Sequence, residues 1–310
     1  MVPWGWSEKE VSMFLQQIIN GITVGSTYAL VTIGFNMVYG VLELTNFAHS
    51  SFYMLGAYIS LFTMTTLLGR VTPTGFFIGM LVSIIITGFL GALMDKLALE
   101  PIRKHNGAPI SALLSTVGIQ TAINNAILLI FGTVPVAFPD VFELGRFNLG
   151  ENTVVQNIQV AIFIVAVILM ILLSLLVYRT KLGSAMRAIS QNATAARVMG
   201  VDVNKVITLT FFIGTAVAAI SGTLVGIYYQ RVDTLMGNAV GLKSFAAAVL
   251  GGMGSVPGAV VGGFLIGISE TLYAAYVSSS SKDAIAFVIL ILVLIVRPSG
   301  LFGQKSVNKV

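Results

Sequence analysis

The chain has 310 residues, of which 56% are hydrophobic and only 9% charged, with a mean hydropathy of +0.94. Soluble domains carry about 25% charged residues, so this chain could not cover itself with a polar surface. Its apolar runs are long and uncharged rather than short and alternating, which excludes a β-barrel and makes it an all-α polytopic membrane protein. The net charge of +5 sits in segments between apolar runs, where the positive-inside bias explains it without a nucleic acid. The absence of cysteine excludes disulfides, thiolate nucleophiles and cysteine metal sites, and His49 and His105 are too far apart for metal-ligand spacing.

The N-terminus does not read as a signal peptide, and Trp4 and Trp6 suit the membrane interface. About 20 apolar residues cross a bilayer core. Residues 11–42 exceed that and give one tilted span, in which Gly21 and Gly25 form a face for close helix contact. A polar knot follows, Glu43 to Ser51, with no turn-forming Gly or Pro. The second span covers about 52–68, ending near Arg70 and Pro73, and the third about 75–97. A loop with Lys96, Arg103 and Lys104 reads as cytoplasmic. The fourth span, about 109–131, carries Ser111, Ser115, Thr116, Gln120, Thr121, Asn124 and Asn125, residues expected to face other helices or a wet cavity.

A net acidic loop, with Asp140, Glu143 and Glu151, suits the outside face, and the aliphatic fifth span, about 154–178, suits lipid. Residues 179–205 then hold Arg179, Lys181, Arg187, Arg197 and Lys205 against the single acid Asp202, which places this loop in the cytoplasm. Its alanines predict a small-residue helix ending at Gly200. A sixth span at about 206–229 precedes a polar return at 231–241. From Ser244 a helix of about ten residues is expected to break at 251–258, before a full span at 259–276 and a closing one at 283–296. Arg297, Lys305 and Lys309 put the tail in the cytoplasm. The sum is a single transmembrane domain over 1–310 with eight or nine segments, including a discontinuous or re-entrant glycine-broken helix, and an external N-terminus if nine cross.

Two interruptions, 43–51 and 251–258, fall one in each half. Non-helical backbone at membrane depth is tolerated only in protein or beside water, and paired breaks point to a transport site. Asn46, His49, Ser50 and Ser51 with Glu43 form either a substrate-contacting site or a polar turn capping a helix that starts near Ser50 or Ser51. Ser255 lies where exposed amides could meet a carboxylate. Glu270 needs a partner or water in its apolar span. The run 237–244 looks like a phosphate-binding loop, but its second Gly is one residue out of register with Lys243. Any ATP therefore belongs to another subunit. The basic loop is either an amphipathic helix on anionic lipid or, since its apolar side is Ala, Val and Met, a segment docked in a protein groove.

NGITVGSTYALVTIGFNMVYGV, NFAH followed by FYMLGAY, RAISQNATAARVMGVDVNKV and AAVLGGMGSVPGAVVGGFLIGISE resemble the permeases of branched-chain amino acid ABC importers, over about residues 15–303. More narrowly, the chain resembles the shorter, H-type member of the two permeases. The resemblance implies a second permease subunit, two cytoplasmic ATPases that carry ATP and Mg, an extracytoplasmic binding protein and a bacterial inner-membrane location, with no cofactor on this chain. It also implies that residues 187–200 couple to the ATPase, through Arg187, Asn192, Ala195, Ala196, Arg197, Met199 and Gly200. One departure is that the family usually continues NFAH with Gly-Glu, where this chain has Ser50-Ser51. Relatives carry urea, short amides or sugars. The expectation is an amino acid importer subunit whose pathway uses Asn46, His49, Ser50, Ser51 and Ser255. The rivals are a urea or amide permease and a channel or ion-coupled carrier acting alone.

Overall fold

The computed structural model describes residues 8–69, 71–105, 107–142, 145–148 and 153–303. Trp4, Trp6, Arg70, Glu143, Glu151, Lys305 and Lys309 lie outside them. In chain order the elements are α1 (Glu8–Leu42), α2 (His49–Phe62) with a π-helical turn (Thr63–Leu67), and α3 (Pro73–Met94), which runs through a second π turn (Asp95–Leu99) into α4 (Glu100–Lys104). Next come α5 (Pro109–Phe131), β1 (Val136–Ala137), β2 (Arg146–Asn148), β3 (Val154–Gln156) and α6 (Asn157–Arg179). The chain finishes with α7 (Lys181–Gln191), α8 (Ala193–Val198), α9 (Val203–Tyr229), β4 (Arg231–Val232), α10 (Met236–Gly251), α11 (Val256–Tyr276) and α12 (Lys282–Val296). The all-α class holds. The short strands pair as antiparallel β1–β4 and β2–β3 and tie connecting loops together.

Among the described residues six helices are long and apolar enough to cross a membrane, those built on α1, α3, α5, α6, α9 and α11. The helices α2, α10 and α12, at 14, 16 and 15 residues, are shorter than that measure.

The centre of the bundle is α1 and α9, which are largely buried, while α5 and α6 lie at its edge. Small residues make the central contacts. A Cβ on Gly267 would lie 2.3 Å from the Gly25 backbone, and one on Gly21 2.8 Å from Ile268 Cα. The Gly21/Gly25 face thus brings α1 against α11, as its spacing predicts. Between α2 and α9 the same device recurs, for a Cβ on Gly222 would meet the Tyr53 carbonyl at 2.0 Å.

Three elements differ from expectation. First, α2 begins at His49, so Ser50 and Ser51 sit in its first turn rather than capping it, and the Asn46 side chain accepts the Ala48 N–H at 3.1 Å. Second, α10 begins at Met236, eight residues before Ser244. Gly237 and Gly241 are poor helix formers, yet each seats the helix against Ser50 at distances no Cβ would allow, so packing overrides propensity. The break after α10 is where it was expected, with Gly252 and Gly254 at positive φ and Ser255 accepting the Gly258 N–H at 3.2 Å to start α11. Third, the basic loop holds a further helix, α7, ahead of the expected small-residue helix α8. Asn192 ends α7 and caps α8, its side-chain oxygen accepting the Ala195 N–H at 2.9 Å.

Candidate functional site

The polar knot reverses the chain. Glu43 has positive φ (53°), residues 43–46 are non-helical, and the chain then runs back along α1. His49 Nε2 comes within 3.2 Å of the Val31 carbonyl, about 16 Å back along α1 from its end at Leu42 at 1.5 Å per residue. A carbonyl only accepts, so Nε2 carries the proton and Nδ1 is an acceptor. The Phe47 N–H donates to Thr116 Oγ1 of α5 at 3.4 Å, and the Ser50 hydroxyl to the Phe47 carbonyl at 3.2 Å.

This reversal opens a cavity of about 360 Å³ between α1, the knot, α2, α5 and α10. It is lined by Val31, Phe35, Asn46, Phe47, His49, Ser50, Gln120, Asn238, Gly241, Leu242, Ser244 and Phe245. Phe35 meets His49 and Phe245 edge-on, with centroids 6.1 and 5.9 Å apart, so one wall is aromatic. Three of the five expected pathway residues, Asn46, His49 and Ser50, line this cavity. Ser51 turns away, donating to Asn124 Oδ1 of α5 at 2.7 Å.

A cluster of amides closes one side. Gln120 and Asn124 each donate to Asn238 Oδ1 of α10, at 3.2 and 3.0 Å. Gln120 and Asn238 also line a second cavity, of about 410 Å³, with Thr121, Asn124, Asn125 and Thr234. The amide cluster is therefore a septum between two cavities. Of its members, Asn238 had no signal in the sequence beyond its place within the discarded phosphate-loop look-alike at 237–244.

Ser255 is not brought to this site. It lines a third cavity of about 460 Å³, together with Asn36, Glu43, Arg187, Gly254 and Phe302. Its carbonyl accepts from Asn36 Nδ2 at 3.0 Å. The polar knot, the glycine break and α7 thus meet at one place, which links the expected pathway to the expected coupling segment.

Within that segment Arg187 is spent on the chain itself. It donates to the Val177 carbonyl at the end of α6 and to Ser184 Oγ, and lies over the Tyr178 ring. Ala196 is buried. Asn192, Ala195, Arg197, Met199 and Gly200 are exposed, and Val198 and Met199 are bare apolar side chains at 82% and 83% exposure. Gly200 takes positive φ (87°) and ends the segment. Beyond it Asp202 caps α9, and hydrogen bonds from the Lys205 side chain and backbone hold its carboxyl below the usual carboxylate range.

Glu270 has the interhelical partners it requires. Lys243 Nζ lies 2.7 Å from its Oε1 and Tyr28 donates to its Oε2 at 2.8 Å, while Asp283 of α12 pairs with the same ammonium at 2.7 Å. This charged knot joins α1, α10, α11 and α12. Lys243 stands between the cavity-lining Leu242 and Ser244 but points away from them.

The chain matches the family model described as "Branched-chain amino acid transport system / permease component" over residues 17–294. It belongs to that permease family. The match includes the cavity, the septum, α7 and α8, and the charged knot. The chain is 38% identical over 304 residues to the high-affinity branched-chain amino acid transport system permease protein LivH of Escherichia coli K12, covering 96% of this chain and 98% of the relative. It is 39% identical over 309 residues to BraD of Pseudomonas aeruginosa, covering 97% and 99%. Against the probable LivH of Methanocaldococcus jannaschii the figure is 28% over 306 residues. No solved structure matches the chain. As a permease component it is part of a transport system and not itself an enzyme.

Proposed function

We propose that this chain is the H-type permease subunit of an ATP-driven importer that carries branched-chain or related small amino acids. The observation that carries the reading is the 38–39% identity, nearly end to end, with permeases named for that transport. The geometry fits it: a small cavity with an aromatic wall, and a septum that would divide a path through the bundle. The pathway uses Asn46, His49 and Ser50 at the cavity, with Ser51 at the septum and Ser255 at the glycine break.

Nine segments cross, α1, α2, α3, α5, α6, α9, α10, α11 and α12, with α10 and α11 as the glycine-broken pair. The N-terminus is outside, and residues 179–205 and the C-terminus are in the cytoplasm of a bacterial cell, in its inner membrane. Support comes from the third cavity, where α7, the glycine break and Phe302 near the C-terminus lie together. The partners are a second permease subunit, two ATP-binding subunits that hold ATP and Mg, and an extracytoplasmic binding protein.

Residues 187–200 are the coupling segment of this single transmembrane domain. Exposed Val198 and Met199 fit a groove on an ATP-binding subunit better than water. The test is ATP-driven leucine uptake by the complex reconstituted with these partners. Arg197→Glu with Met199→Glu is expected to abolish uptake while the permease remains in the membrane. Undiminished uptake by that variant would refute the coupling role.

A further inference from the structure

Away from the three cavities described so far, an open cleft of about 740 Å³ lies between the end of α3, continuing into α4, and the start of α9. Both walls belong to helices long and apolar enough to cross a membrane. The lining changes with depth. Lys96, Glu100, Asp202 and Lys205 stand at the rim, whereas Phe89, Leu93, Leu209 and Phe212 line the deeper part. Phe89 precedes Lys96 by seven residues and Phe212 follows Lys205 by seven, so each apolar wall is about 10 Å deep.

The cleft is held open by specific contacts. At its floor Phe89 and Phe212 meet edge-on, with centroids 5.4 Å apart, and Gly88 makes room for the Phe212 ring, which a Cβ there would meet at 2.8 Å. Near its rim the buried Asp95 accepts from Arg103 at 2.5 Å and from Thr208 at 2.7 Å, which pins the π turn after α3 to α9.

The occupant must be amphipathic. An apolar wall about 10 Å deep is a third of the hydrocarbon core of about 30 Å, and a charged rim above it stands where lipid head groups lie. The rim is mixed in sign. Glu100 pairs with Lys104 at 2.8 Å and Asp202 with Lys205 at 3.0 Å, while Lys96 is exposed and makes no ion pair among the described residues. Lys96 suits a phosphate, and the two carboxylates suit an ammonium that can donate hydrogen bonds. An anionic glycerol head would leave the carboxylates facing no cation, and a trimethylated ammonium has no N–H to give them.

We propose that this cleft binds one phospholipid with a primary-amine head group, its phosphate on Lys96, its ammonium on Glu100 and Asp202, and an acyl chain along Phe89, Leu93, Leu209 and Phe212. The site is independent of which substrate the permease carries. In the orientation given above it belongs to the cytoplasmic leaflet, directly after residues 187–200.

The test places the complex with its partner permease and ATP-binding subunits in phosphatidylcholine vesicles. These contain a trace of a phospholipid with a photoactivatable acyl chain and an ethanolamine, choline or glycerol head. Cross-linked peptides are located by mass spectrometry. The ethanolamine lipid is expected to label residues 89–93 and 209–212 about fivefold more than the other two, since a partly exposed charge pair contributes little more than that. Lys96→Glu is expected to abolish this preference, and Leu93→Trp, which fills the cleft, to lower labelling by all three lipids. Equal labelling by the three heads would mean an unselective boundary lipid and overturn the proposal, as would a preference for the glycerol head. Absence of labelling at both stretches would mean that another subunit covers the cleft, and would overturn it too. If the variants fail to assemble, the comparison of head groups on the unaltered complex decides alone. Leucine uptake is measured separately, so failure of the lipid site leaves the importer reading standing.

Discussion

Lys243 is the centre of the charged knot, bonded to Tyr28, Glu270 and Asp283. It is 5% exposed, and an uncompensated ammonium at that depth would be costly, so Glu270 and Asp283 both turn to it. Removing one partner of a buried pair costs more than removing both. Lys243→Met, which takes the near cation from the buried Glu270 carboxylate, is therefore expected to destabilise the protein by about 3 kcal/mol, and Lys243→Met with Glu270→Leu by clearly less. Unfolding in mild detergent measures the difference; equal losses would show that the pair is not effectively buried. The need for a partner was legible from Glu270 alone, since it is an acid in an apolar run. Its identity was not, because Lys243 lies across the helix break and only tertiary packing brings the two together. At Asp202 the sign is the usual carboxylate one. Its lowered pKa means that the cap on α9 is present at neutral pH and lost only as pH falls through the depressed value.

At the scale of elements, glycines decide which helices touch. Gly267→Val would drive side-chain atoms into the Gly25 backbone and separate α11 from α1. The expected result is loss of folded protein from the membrane fraction, measured by detergent extraction and gel filtration; normal recovery would contradict the packing. The joint between α7 and α8 is a second case. Asn192→Ala removes the side-chain cap of α8, worth about 1 kcal/mol, whereas Asn192→Asp keeps a capping oxygen. Uptake is expected to fall in the first variant and to be largely retained in the second. Composition was enough to show that this loop is basic and helical. It did not reveal two helices, because the capping role of Asn192 depends on its extended backbone (φ −161°, ψ 104°). Likewise Gly241 read as the end of a polar return, whereas it lies in a helix that packs on Ser50.

For the whole molecule the proposed sidedness has a direct assay, since the chain contains no cysteine. Thr194→Cys, exposed on α8, is expected to resist a membrane-impermeant maleimide in intact cells and to react in inside-out vesicles. Val134→Cys, 73% exposed in the loop after α5, is expected to do the reverse. The opposite pattern would invert the proposed orientation and move the coupling segment away from the ATP-binding subunits.

Run length and charge placement are local properties, and by themselves they determined that this chain is helical, where its apolar segments lie, and which loop is basic. The motif at 43–51 was also visible as an interruption, as was the glycine break. What they enclose was not. The cavity exists because the backbone reverses at Glu43 and brings His49 back to Val31, while Ser244 arrives on a different helix some two hundred residues later. Ser51 and Ser255, which look equivalent to Ser50 in sequence, face a septum and a separate cavity. Which side chains share a space depends on helix rotation and close packing between distant segments, and in the tertiary structure those contacts, not the polarity of single residues, make the site.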